Sequence, residues 1–130
     1  MDSFSLTLTN CEISAIELEH GSLRLRIDRA DLIKTLTGSA ERTRWWQAGE
    51  LVLEEAVLES QLPEGAVRCL GGDLDDNIYT YRDMVPIPLV SRGHIRCQLR
   101  FEGIAAPFIA SGSAVQLTLH GSAKYIEHLR

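Results

Sequence analysis

The feature that most constrains the fold is a strict alternation of apolar and polar residues. In SLRLRID, residues 22–28, Leu23, Leu25 and Ile27 fall on one side while Arg24, Arg26 and Asp28 fall on the other. HIRCQLRFE, residues 94–102, repeats the pattern with Ile95, Cys97, Leu99 and Phe101, and AVQLTLH, residues 114–120, with Val115, Leu117 and Leu119. Successive side chains of a strand point to opposite faces, so this period of two describes antiparallel strands with one buried and one wet face. Phe4, Leu6 and Leu8 in FSLTLT continue it, and EISAIELEHGSLRLRID reads as a hairpin turning at His20-Gly21-Ser22. ELVLEEAVLES is a further strand with LPEG as its turn. In NIYTYRDMVPIPL, residues 77–89, Pro86 and Pro88 cannot donate ladder hydrogen bonds, which puts the second half at a sheet edge or in an extended loop.

Two stretches read with a helical period instead. In RADLIKTLTGS, residues 29–39, Leu32, Ile33 and Leu36 predict one short internal helix stopped by Gly38. In AKYIEHLR, residues 123–130, Ile126 and Leu129 are spaced for a final helical turn, with a short strand as the alternative. The expected fold is therefore all-β and mostly antiparallel. It is a single domain over residues 1–130 with about seven or eight strands, and periodicity leaves sandwich and barrel both open.

Composition narrows the function classes. A chain of 130 residues suits one domain, and its net charge of −5 sets it against phosphate backbones. The N-terminal MDSFSLTL lacks the continuous apolar core of a secretory signal, and the longest apolar run, GIAAPFIA, is too short to cross a bilayer. Three cysteines, Cys11, Cys69 and Cys97, without C-x-x-C spacing, suit reduced thiols better than a disulfide framework or a zinc knuckle. These points together predict a cytoplasmic protein with no cofactor and neither a nucleic acid nor a membrane as partner.

Chemistry-bearing residues are sparse. In LGGDLDDNIYTYRD, Asp73, Asp75 and Asn77 match the first, third and fifth positions of a calcium loop, but Ile78 replaces the required glycine and Met84 the bidentate glutamate. The stretch reads as a solvated turn, and it lacks the lysine of a phosphate-binding loop. If residues 94–102 and 113–120 pair in one face-consistent register, His94 lies opposite His120, close enough to share a metal; registers shifted by two residues separate them. Arg24, Arg26, Arg96 and Arg100 project from wet faces, either as a basic stripe for an acidic partner or as ordinary pairs with Asp28, Glu17, Glu19 and Glu102. Neighbouring residues of a strand point oppositely, so Trp45 and Trp46 cannot both enter the core easily unless they pack under the helix, and one is a candidate anchor for a partner. No nucleophile motif or acid-base pair stands out, and Cys69, beside Gly71-Gly72, is the one thiol worth testing for reactivity.

Two segments, NCEISAIELEHGSLRLRI (residues 10–27) and FIASGSAVQLTLHGSAKYIEHL (residues 108–129), resemble small bacterial all-β domains, some of them immunity proteins encoded beside toxins. The resemblance implies binding in preference to catalysis. The leading expectation is a non-enzymatic protein-binding module, with an exposed tryptophan as hot spot and charged residues steering association. The alternative is a small-ligand or metal-binding barrel, with an enzyme among its forms, using His94 and His120. A third reading is a homodimer contact through residues 85–89.

Overall fold

The computed structural model describes residues 2–129, and all regular structure among them is β. Ten strands follow one another: β1 (Ser3–Thr7), β2 (Cys11–Glu19), β3 (Ser22–Thr35), β4 (Arg42–Glu54), β5 (Val57–Leu58), β6 (Val67–Asp76), β7 (Tyr79–Arg82), β8 (Met84–Ile87), β9 (Val90–Phe101) and β10 (Phe108–Leu129). Every pairing is antiparallel. The path β2-β6-β9-β10-β4-β3 returns from β3 onto β2, which closes a six-stranded barrel and decides against a sandwich.

The alternating residues fill this barrel. Leu23, Leu25, Leu53, Leu74, Ile95, Cys97 and Leu99 are all buried, while their sequence neighbours face outward. Six strands leave an interior only wide enough for side chains, so closure removes the sheet edges and the apolar faces meet one another.

Strands β3, β4 and β10 run 14, 13 and 22 residues, longer than the barrel requires. Beyond it they form an extension in the order β10-β4-β3-β1-β8. Its edge strand β8 contains Pro86, in agreement with the edge position expected for that segment. The register aligns Val85, Leu6, Leu32, Trp45 and Tyr125 in one row across these five strands. Val85, Leu6 and Leu32 are buried, Trp45 is half-buried against the core, and Tyr125 at the far edge is exposed.

Barrel and extension meet at two bulges on opposite flanks of β4. Between Ile27↔Gly49 and Ala30↔Gln47, β3 advances three residues while β4 advances two. Between His120↔Ala48 and Lys124↔Trp46, β10 advances four residues while β4 again advances two. Surplus length on both neighbours of one short stretch bends the sheet away from the barrel wall and re-aims the side chains it carries. Buried Gln47 fastens the larger bulge by donating from Nε2 to the carbonyls of Gly121 at 2.8 Å and His120 at 3.2 Å.

The strand registers also correct two expectations. The predicted helix over residues 29–39 is instead the end of β3 followed by a turn, in which Leu36 N–H donates to the Glu41 carbonyl. Beyond the bulge the register is regular: Leu32 faces inward while Ile33, on the other face, is half-buried between Ser5 and Arg44, so apolar residues on both faces of one strand gave a helix-like spacing. The predicted C-terminal helical turn is the last part of β10, where the register shift between Tyr125 and Glu127 disturbs the alternation. Arg130, the end of that stretch, lies outside the described residues. Among the described residues, no helix is long and apolar enough to cross a membrane.

Candidate partner-binding face

The acidic stretch is a hairpin rather than a loop. Asp73 and Asp75 lie in β6 opposite Arg82 and Thr80 of β7, and Asn77 occupies the turn with φ of 58°. Asp75 accepts from the Thr80 hydroxyl at 2.8 Å, and Asp73 pairs with Arg82 at 3.4 Å. Asn77 latches the turn to β9, its backbone N–H donating to the His94 carbonyl and its Oδ1 accepting from His94 N–H. Each carboxylate is engaged by its own neighbour, and no group of three or more potential metal ligands occurs among the described residues.

The two histidines are not brought together. Strands β9 and β10 do pair, but Gly112 lies opposite Ile95, so His94 stands near residue 113. His120 pairs instead toward Ala48 of β4, eight residues further along β10 than Gly112. At about 3.3 Å per residue the separation along the strand is roughly 25 Å, well beyond a shared ligand. The shifted register arises because the shorter outer half of β9 pairs with residues 114–116, leaving β10 free to continue along β4.

All four sequence-selected arginines carry an acidic partner. Arg24 pairs with Glu50 at 2.8 Å, Arg26 with Glu17, Arg96 with Glu59 at 3.3 Å and Arg100 with Asp83 at 3.6 Å. The Arg24 and Arg26 partners lie across adjacent strands, but of the carboxylates expected beside the four arginines only Glu17 is one; Asp28, Glu19 and Glu102 form no ion pair with them among the described residues. Glu59 is held below the usual carboxylate range by the Ser111 hydroxyl and by Arg96.

The tryptophans separate as strand geometry dictates, with no helix over either. Trp45 turns inward, meets Tyr125 edge to face at 5.3 Å between centroids, and donates from Nε1 to Thr43 Oγ1 at 2.8 Å. Trp46 turns outward. Arg29, from the β3 bulge, places its Cζ 4.8 Å from the Trp46 ring centroid, and Lys124, at the end of the β10 bulge, places its Nζ at 4.6 Å. One cation thus reaches the indole from each flanking strand.

Neither Arg29 nor Lys124 forms an ion pair among the described residues. A cation over a half-buried indole such as that of Trp46 gains about 0.5–2 kcal/mol, and the contact leaves the charge itself in place. Arg42 and Arg44 alternate with Trp46 along β4 and so share its face. Arg44 is bracketed by Asp31 at 3.5 Å and Glu127 at 3.2 Å, while its buried Nε has no hydrogen-bond partner among the described residues. Among the described residues, Arg29, Arg42, Arg44 and Lys124 thus stand with Asp31 and Glu127 on this face, and Glu12 lies opposite Arg29 across β2 and β3 without forming an ion pair with it, which leaves a local excess of positive charge on an acidic chain. Adjacent Asp28 turns elsewhere, lining a shallow depression with Glu12 and Arg68.

The sequence offered Trp45 and Trp46 alike as anchors; Trp45 packs against the core and only Trp46 faces outward, and Arg29 and Lys124 stood outside the expected set. The legible signal was ERTRWWQ, and the missing piece was the pair of bulges that carries distant cations onto it.

The cysteines face inward. Cys11 and Cys69 are direct partners across β2 and β6, Cys97 lies on neighbouring β9, and all three are buried free thiols. Burial pushes the Cys97 thiol up to about 12 and raises Cys11 and Cys69 as well. Cys69, the thiol singled out for reactivity, is 0% exposed.

Comparison of the chain with protein-family models, with curated proteins and with solved structures finds no match.

Proposed function

We propose that this domain works by binding a protein partner without catalysis, through the outward face of the β3–β4–β10 extension, and that the surface it meets is acidic. The observation that carries this reading is the pair of cations, Arg29 and Lys124, neither in an ion pair among the described residues, held over the outward indole of Trp46. An indole flanked by arginine and lysine supplies a large apolar contact at its centre and charge at its rim, the division that concentrates binding energy and steers association. Arg96, Arg100, Arg24 and Arg26, each with a carboxylate, serve the barrel wall in this reading. Immunity-type inhibition of a toxin in the bacterial cytoplasm, by steric and electrostatic occlusion, is one form such binding takes.

A photocrosslinking residue at exposed Ser122, inside the β10 bulge, tests the reading in cells of the native host. The expected product is a polypeptide adduct mapping to an acidic segment, lost when Arg29→Ser and Lys124→Ser are combined. Nucleic-acid adducts, or polypeptide adducts unchanged in that double variant, contradict it.

A further inference from the structure

A second surface lies at the other end of the barrel, away from the extension. Between the connection of residues 59–66 and the β9–β10 hairpin opens a cleft of about 640 Å3. Its floor is the buried pair Phe101 and Phe108, 5.5 Å apart between centroids. Leu62 and Pro63 form one wall, Ile104 and Pro107 the other.

Both walls are anchored at their roots. Glu59 N–H donates to the Ile109 carbonyl, Ser60 Oγ accepts from Ile109 N–H at 2.9 Å, and the Glu59 carboxylate accepts from Ser111 at 2.8 Å. Across the cleft, Glu102 N–H donates to the Arg68 carbonyl and Ile104 N–H to the Phe101 carbonyl. The walls nevertheless leave apolar surface uncovered, with Leu62 at 38% and Ile104 at 42% exposure.

The lining contains two carboxylates, Glu59 and Glu64, and no lysine, arginine or histidine. Glu59 is already engaged by Arg96 and Ser111, whereas Glu64 makes no ion pair or side-chain hydrogen bond among the described residues. An apolar cleft with one unmatched charge at its rim favours a ligand with one apolar body and one head of opposite sign. The volume lies within the range that takes a single small molecule and is small for a folded protein partner.

We propose that this cleft is a binding site for a small amphipathic cation, an aryl or alkyl amine whose apolar body rests on Phe101 and Phe108 and whose ammonium meets Glu64. This site is separate from the Trp46 face and does not depend on it.

Two probes of similar shape and opposite charge, phenethylamine and 3-phenylpropionate, are titrated against the full chain at millimolar concentration, following backbone amide shifts by NMR. The amine shifts Leu62, Ile104 and their neighbours and binds roughly two- to fivefold tighter than the carboxylate, the range of one exposed ion pair. Glu64→Gln leaves the amide spectrum of the fold intact and brings the two probes to equal affinity. Ile104→Lys, which crowds the cleft and adds a cation there, removes amine binding. Equal affinities in the unaltered protein, shifts confined to other residues, a preference that survives Glu64→Gln, or no binding of either probe each overturn the proposal.

Discussion

Gln47 joins the fold to the candidate face, so its replacement tests both. Gln47→Met keeps nearly the same length and volume but removes the Nε2 donor that holds the Gly121 and His120 carbonyls at 2.8 and 3.2 Å. Each hydrogen bond contributes about 0.5–1.5 kcal/mol net, and the longer one belongs at the low end of that range. Gly121 and His120 are exposed, so water recovers part of what their carbonyls lose. The more apolar thioether in a buried position offsets a further part. The expected loss is therefore about 1 kcal/mol, and with a slope of roughly 1–2 kcal/mol per molar the urea midpoint falls by about 0.5–1 M. Gln47→Glu at neutral pH costs more, because it adds a buried charge facing two carbonyls with no donor. Urea titrations followed by circular dichroism give the stability. In parallel, tryptophan fluorescence should change in both variants as Lys124 leaves the ring of Trp46. A midpoint within about 0.2 M of the unaltered protein for both variants would mean that Gln47 does not hold the bulge.

Other perturbations have equally definite outcomes. At Gly49, an added Cβ would lie 2.4 Å from the Thr118 carbonyl oxygen and 3.1 Å from Leu119 Cα, both backbone, so Gly49→Ala must force β4 from β10 and costs about 1–3 kcal/mol by thermal or urea unfolding. Leu53→Ala, at a position 0% exposed inside the barrel, costs about 2–5 kcal/mol in the same assay. Cys97 ionises near 12 in the folded protein against 9.0 for an unperturbed thiol. The folded value is the raised one, so the contribution of that protonated thiol to stability is whole below about pH 9. It is lost as pH rises from there toward 12, because the unfolded chain ionises first. Native protein at pH 8 should accordingly leave all three thiols unmodified by a disulfide-exchange reagent until urea unfolds it, and rapid labelling without unfolding would contradict their burial.

Much of the barrel was legible because inward and outward residues alternate without interruption in the first half of β3, in β9 and in the middle of β10. Closure was not, because it depends on β3 returning to β2 while also pairing with β4, and alternation is silent about which neighbour a strand chooses. The two false helices have different causes: Leu32 and Ile33 are apolar on opposite faces of a regular strand, whereas a register shift between Tyr125 and Glu127 breaks the alternation at Ile126. The bulges on either flank of β4 explain why the candidate face was only half visible. Alternation showed that Trp45 and Trp46 point to opposite faces but not which one turns outward, and the cations that reach Trp46 come from places where the alternation breaks. The sequence-selected arginines failed to make a basic stripe for the opposite reason, since regular strand pairing brings Glu17 and Glu50 alongside Arg26 and Arg24. For His94 and His120, a register offset of several residues, invisible in either strand alone, carried the imidazoles apart.

Binding of an acidic polypeptide surface by the Trp46 face, as proposed, is tested by a titration with poly-L-glutamate at low ionic strength. Tryptophan fluorescence reports binding, and oligothymidylate serves as the nucleic-acid comparison. The expected result is a saturable change with polyglutamate that weakens as salt is added, exceeds the response to oligothymidylate, and disappears when Arg29→Ser and Lys124→Ser are combined. No response to polyglutamate, a tighter response to oligothymidylate, or binding that survives the double variant would contradict it.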